Sequence, residues 1–243
     1  MAYGNEFGFH GGEMARIYFI TGTGTGVGKT ILTALLVKRL CQRGINAAAL
    51  KPICSGGRGD ARKLFAAMNG ILSLDRINPW HFRAPLAPLL AARREDRKLK
   101  LPQVMAHLRK MQKHFDVLLV EGAGGLLSPL GELFNSRDLI LALDAMPVIV
   151  APNKLGVVNQ ILLTLEALPK NVRTKTIVVL MAPAETDAAT GSNAKLLKQL
   201  SPKVKIFTLP RLGTSFSSAK TRNNSVIRSL FKAIFPRAAI YFS

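Results

Sequence analysis

The chain is 243 residues long, 48% of them hydrophobic, and carries a formal net charge of +20 from 34 basic and 14 acidic residues. That length accommodates one large α/β domain or two small ones, and the apolar content suffices for a substantial core. No apolar run approaches the roughly 18–20 uncharged residues of a membrane-spanning helix, which argues against membrane insertion. Residues 1–14 are Gly-rich and lack an apolar segment, so a flexible leader is expected there rather than a signal peptide, with Met14 as an alternative start. The two cysteines, Cys41 and Cys54, and the four histidines lack metal or redox spacing, so a cytoplasmic chain with structural thiols is expected. Beyond Asp187 there is no acidic residue, while basic ones continue to Arg237. No nucleic-acid-binding motif accompanies this charge, and a solvated basic face is the expected reading.

In chain order, residues 16–21 (RIYFIT) are an apolar run ending in glycines, which predicts a strand. Residues 30–43 carry apolar side chains at helical spacing, with Gly44 as the stop. Further strands are predicted over 46–51, 116–121, 147–151, 176–181 and 204–209, with a helix over 157–168. Strands alternating with helices imply a mostly parallel sheet flanked by helices. With no linker, repeat or low-complexity tract, residues 15–243 are expected to form a single α/β domain.

Between the first strand and the first helix lies Gly22-Thr-Gly-Thr-Gly-Val-Gly-Lys-Thr30. Its Gly28-Lys29-Thr30 end matches a phosphate-binding loop, but the position of the usual first glycine holds Thr23 and the glycine stands one residue earlier. In such a loop backbone N–H groups turn toward phosphate oxygens and the helix N-terminus favours the anion. Lys29 then neutralises the β- and γ-phosphates, and the Thr30 hydroxyl ligates Mg²⁺. Glu121 ends a buried-type strand before Gly122-Ala-Gly-Gly125 and is the natural acidic counterpart near the metal. Asp60 suits either a metal role or the cap of a helix starting at Ala61. Lys51 follows the second strand in the turn Lys51-Pro-Ile-Cys-Ser55-Gly56, at the same sheet edge as the phosphate loop, where a lysine can hold a transferring phosphoryl group.

Together these motifs resemble dethiobiotin synthetases. That family's loop is likewise one residue longer than the standard pattern, and the chain matches its KP-x-x-SG turn at 51–56 and its VEGAGG segment at 120–125. Asn78-Pro79, Phe82, Pro85 and Pro88 match an NP-x-x-F-x-x-P-x-x-P segment, and Lys154-Leu155-Gly156 with Asn159 matches a KLG-x-x-N turn. The resemblance implies a P-loop NTPase-like fold and a cyclo-ligase that joins 7,8-diaminononanoate and CO₂ with MgATP. A carbamate forms on one amine, its oxygen takes the γ-phosphoryl group as a mixed anhydride, and the second amine closes the ureido ring. It implies Lys51 and Lys29 as catalytic groups, and Thr30, Asp60 and Glu121 around Mg²⁺. Nucleotide contacts would come from Gly26, Val27, Gly28, Lys29, Thr30 and Ile31. Others would come from Asp60, from Glu121 to Gly124 through Gly122 and Ala123, and from Pro210, Arg211 and Leu212. Thr25 and Ser55 would meet the substrate. Leu155, Gly156 and Asn159 would hold its carboxylate across a homodimer interface.

The chain departs from the family at three places. Gly24 and Gly26 stand where acids are common, which leaves a more accommodating loop with less order before ligand arrives. After the strand over 176–181 the family has an adenine-reading Asn, whereas here the sequence is Ala182-Pro183-Ala184-Glu185, and proline offers no donor. The acid that commonly follows the Pro210 turn is also missing near Gly213. A partition-type ATPase is the main alternative function, but the extra lysine that such proteins carry early in the loop is absent. An amide-forming cobyrinate diamide synthetase would need a glutaminase domain for which the chain is too short, and a degenerate binder would not need both lysines. Base selectivity is therefore expected to be weak: dissociation constants for ATP, GTP and CTP should be comparable, and a strong preference for ATP would contradict this.

Overall fold

The computed structural model describes residues 15–211 and 224–236. The elements are, in order, strand β1 (Arg16–Gly22), helix α1 (Lys29–Cys41), β2 (Ala47–Leu50), β3 (Ile53–Ser55), α2 (Gly59–Ala67), α3 (Leu74–Ile77) and β4 (Trp80–Phe82). Next come α4 (Pro88–Arg93), α5 (Leu101–Gln112), β5 (Val117–Glu121), β6 (Pro129–Gly131), β7 (Phe134–Asn135), α6 (Ser136–Ala142), β8 (Met146–Pro152) and α7 (Val157–Glu166). The remainder are α8 (Lys170–Arg173), β9 (Ile177–Met181), α9 (Asn193–Leu200), β10 (Lys205–Leu209) and α10 (Ser225–Ile234).

Six strands form one parallel sheet in the order β10-β9-β8-β1-β5-β2. They are the six strands expected from the sequence, and the helices expected after Thr30 and Val157 are α1 and α7. The central strands read as continuous apolar runs because both faces are covered: Phe19, Ile20, Leu118, Val120, Ile149 and Val178 have no exposed surface. The edge strand β2 is built from three alanines, small enough for α1 to lie close over it. There the Ala49 N–H is met by the Met68 sulfur at 3.1 Å, which covers an edge donor that water or another chain would otherwise find. At the other end of the strands, α10 docks Phe235 edge-on against Tyr18, with ring centroids 4.7 Å apart.

Because all six strands run the same way, the loops after β1, β2, β5, β8, β9 and β10 emerge along one edge. β1 sits between β5 and β8, so the chain order reverses about it, and the crevice beyond its carboxyl end is where this architecture binds ligands. The β3–β4 pair and the β6–β7 hairpin are small additions that shape the walls of this edge. The nominated leader, residues 1–14, lies outside the described residues, as does Leu212.

Candidate functional site

The phosphate-type loop is held in place by its glycines. A Cβ on Gly22 would lie 2.7 Å from Val27 Cγ2 and 2.8 Å from the Val150 carbonyl, so no other residue fits as the strand turns. Gly28 caps α1 at φ 102°, in the left-handed region. No side chain caps this helix and no acid lies in its first turn, so its N-terminal N–H groups are left for an anion. At Gly24, a side chain would meet no atom within 4 Å, so the absent acid is not replaced by packing.

Four of the expected residues meet in one buried cluster. Glu121, 1% exposed at the end of β5, accepts through Oε1 from Thr30 Oγ1 at 2.7 Å and from Lys51 Nζ at 2.8 Å. Lys51 also donates to the Gly122 carbonyl at 2.9 Å and lies 3.6 Å from Asp60 Oδ2. Lys29 bridges the two loops, donating to the Gly24 carbonyl at 2.6 Å and the Gly124 carbonyl at 2.7 Å. Asp60 lies in the first turn of α2, whose N-cap is Arg58. It therefore does not cap a helix beginning at Ala61, and its carboxylate faces Lys51 instead.

The two lysines differ electrostatically. Burial alone would favour neutral Lys51, yet the Glu121 charge and hydrogen bond, with Asp60, hold its pKa above the ordinary lysine value. Lys29 is lowered to about 8, first by burial and then by repulsion from Lys51, with Glu121 and Asp60 only partly offsetting this. The second Glu121 oxygen, Oε2, is buried without any hydrogen-bond partner. Leaving such an acceptor unmet costs on the order of 1–3 kcal/mol, more when charged, so a cation or donor brought by a ligand would be favoured there. Among the described residues no group of three or more His, Cys, Asp or Glu side chains stands together, so there is no all-protein metal cage. The Thr30 hydroxyl, Asp60 and the spare Glu121 oxygen instead fit Mg²⁺, which keeps waters and binds through one or two carboxylates plus phosphate oxygens.

The other nominated residues surround this cluster without joining its hydrogen bonds. Thr25, Gly26 and Ile31 are exposed along the loop and the first turn, and Val27 and Ala123 are half-buried. Ser55 ends β3 on the Lys51 turn, its hydroxyl donating to the Leu86 carbonyl at 2.5 Å. Pro210 and Arg211 follow β10 and are exposed. Near them the Ala182 N–H is spent on the Leu209 carbonyl at 2.9 Å, so with Pro183 this strand end presents little to read a base. Gly156 caps α7 at φ 86°, Asn159 is exposed, and the Leu155 N–H is taken by Asp187 Oδ2 at 2.7 Å.

The AAA domain family model matches residues 16–214. An ATP-dependent dethiobiotin synthetase of Anaeromyxobacter sp. (strain Fw109-5) is 42% identical over 173 residues, spanning 70% of this chain and 78% of that protein. The chain belongs to the dethiobiotin synthetase family. Similar synthetases include that of Thermodesulfovibrio yellowstonii, 36% identical over 202 residues (75% of this chain, 83% of that one). Another, from Methanocaldococcus jannaschii, is 37% identical over 166 residues (66% and 78%). Among solved structures, hydrogenase maturation factor HypB from Archaeoglobus fulgidus superposes with a TM-score of 0.52 at 15% identity, covering 92% of this chain and 90% of its own. At that identity it speaks to the fold alone.

Three features of this dethiobiotin synthetase family member were not assigned from sequence. They are the Asn78 side chain behind Lys51, the Asp187 carboxylate on Leu155, and Ser128, whose Oγ accepts from the Gly125 N–H at 2.8 Å and closes the VEGAGG turn. The NP dipeptide was visible as a motif, but nothing local in the sequence said what its Asn would hold. One consequence concerns pH. Lys29 is protonated below about 8 in the free protein, and phosphate oxygens favour the charged form. ATP affinity should thus be flat up to neutral pH and weaken as pH rises through about 8, approaching tenfold per unit. Calorimetric titration from pH 6.5 to 9.5 checks this, and a flat profile would contradict it.

Proposed function

We propose that this chain is an ATP-dependent dethiobiotin synthetase, closing the ureido ring from 7,8-diaminononanoate and CO₂ as a cyclo-ligase. The observation that carries the reading is Lys51: a buried ammonium, held by Glu121 beside the phosphate loop, on the KP-x-x-SG turn. Its raised pKa means that it stays charged at neutral pH and works by electrostatics rather than as a base. In a site this dry, a fixed cation acts on developing phosphoryl charge far more strongly than in water.

In this reading the N–H groups from Gly26 to Ile31 cradle the triphosphate, and Lys29 exchanges its two carbonyl partners for β- and γ-phosphate oxygens. Thr30, Asp60 and Glu121 would hold Mg²⁺, which supplies charge neutralisation across the phosphates. Lys51 orients the carbamate oxygen against the γ-phosphate and neutralises both, a task of positioning more than of covalent chemistry. Thr25 and Ser55 line the substrate side of the crevice, and Gly122, Ala123, Gly124, Pro210 and Arg211 complete the nucleotide side.

The substrate carboxylate is assigned to Leu155, Gly156 and Asn159 of a second subunit. Two observations support this: the Leu155 N–H already accommodates a carboxylate, that of Asp187, and Leu155 and Leu163 are 79% and 63% exposed. A homodimer would cover those leucines, and sedimentation should show one. Residues 15–243 as a single domain and a cytoplasmic location belong to the same reading. No nucleic-acid partner is part of it, and no helix of the described residues is long and apolar enough to cross a membrane.

The test is to incubate the protein with diaminononanoate, bicarbonate and MgATP and to follow dethiobiotin by mass spectrometry. Product should form, and Lys51→Ala should lower turnover by about 100-fold or more. Undiminished product from the variant would remove Lys51 from its role, and absence of product from the wild type would overturn the assignment.

A further inference from the structure

Lys51 reaches Glu121 from a long flexible stem that is rich in rotamers. An ammonium on such a stem stays at one point only if its backbone origin is fixed. Both backbone groups of Lys51 are tied to the last residue of α3 and the residue after it. Its N–H donates to the Ile77 carbonyl at 3.0 Å, and its carbonyl accepts from Asn78 Nδ2 at 2.7 Å.

Asn78 has no exposed surface, and its amide is used on both sides. Nδ2 also lies 3.3 Å from the Trp80 carbonyl and 3.4 Å from that of Pro52. Oδ1 accepts from Arg58 Nε at 3.2 Å and Cys54 Sγ at 3.1 Å. Arg58 is anchored in turn, with its second terminal nitrogen 2.8 Å from the Leu74 carbonyl, 3.0 Å from the Asn78 carbonyl and 2.8 Å from Asp75 Oδ1. One buried amide thus joins the start, the middle and the exit of the turn that carries Lys51 and Ser55. A buried polar knot satisfied in this way specifies one geometry, and a half-satisfied one does not.

We propose that Asn78 is a positioning residue for the reaction, setting the Lys51 ammonium on Glu121 through the Lys51 carbonyl, with Arg58 orienting the Asn78 amide. The inference rests on the role given to Lys51 above. A residue needed only for folding would reduce the amount of active protein and leave the survivors unchanged. A positioning residue changes the survivors.

Two variants separate these outcomes. Asn78→Ala removes the donor. Asn78→Asp keeps the size and the acceptor for Arg58, but sets an oxygen against the Lys51 carbonyl, so it tests the contact even if the alanine variant does not fold. Measured on folded protein, kcat should fall by about 100-fold, the scale of a misplacement near 1 Å. The KM for MgATP should stay within about threefold, because the phosphate loop is tied to Val150 and Gly124 rather than to Asn78. At one fixed neutral pH and without substrate, the ¹⁵N chemical shift of the Lys51 ammonium should move in Asn78→Ala relative to wild type, because its contact with Glu121 loosens. Wild-type kcat and an unmoved Lys51 resonance in folded variants would overturn the proposal. A wild type that makes no dethiobiotin would refute the functional reading instead, and the resonance would still decide the role of Asn78.

Discussion

One carboxylate oxygen organises this protein's site. Glu121 Oε1 receives both the Lys51 ammonium and the Thr30 hydroxyl, so the ends of three neighbouring segments, β2, α1 and β5, converge on a single atom. A lysine as buried as Lys51 would otherwise shed its proton, because an uncompensated ammonium in a dry interior is costly. The Glu121 charge keeps it protonated, and Lys51 in turn makes a buried glutamate tolerable. Neither is stable there alone: removing one partner of a buried pair leaves the other uncompensated, at about 3–5 kcal/mol. The pairing leaves Oε2 unused and buried, so the arrangement that stabilises the lysine also keeps an acceptor in reserve.

The parallel sheet makes this convergence geometrically easy. β1, β5 and β2 are consecutive neighbours, and the register that sets Ile20 opposite Glu121 also sets Leu50 opposite Val120. The residues following these strands therefore leave the sheet at nearly the same height. Glycines then bring the backbone itself into the site: the Gly24, Gly122 and Gly124 carbonyls are lysine partners here. Lys29 is held by two carbonyls and no carboxylate of its own, so the burial and the Lys51 repulsion that lower its pKa are only partly offset.

The main sheet was legible because its strands are continuous apolar runs between glycines, and α1 and α7 because each follows a glycine turn. The cluster of Lys29, Thr30, Lys51 and Glu121 was legible because each residue sits at a strand end, where topology alone brings it to one edge. Asp60 stayed open between a cap and a site residue, since the difference is one helix position: α2 begins at Gly59. The strand order, the β3–β4 pair and the Asn78 knot were not legible. They depend on contacts between segments well separated along the chain, and no local period encodes such a contact. The Asp187 contact with Leu155 is of the same kind. It shows that the turn expected to hold a substrate carboxylate already holds one of the chain's own.

The most direct test is turnover of Glu121→Gln as a function of Mg²⁺ concentration. Glutamine keeps an oxygen for Thr30 and nearly the same volume, but removes the charge that holds Lys51 and that, in the proposed reading, would help hold Mg²⁺. The account predicts a fall in kcat of about 100-fold or more, with saturation only at much higher Mg²⁺. Wild-type turnover at the wild-type Mg²⁺ requirement would contradict it.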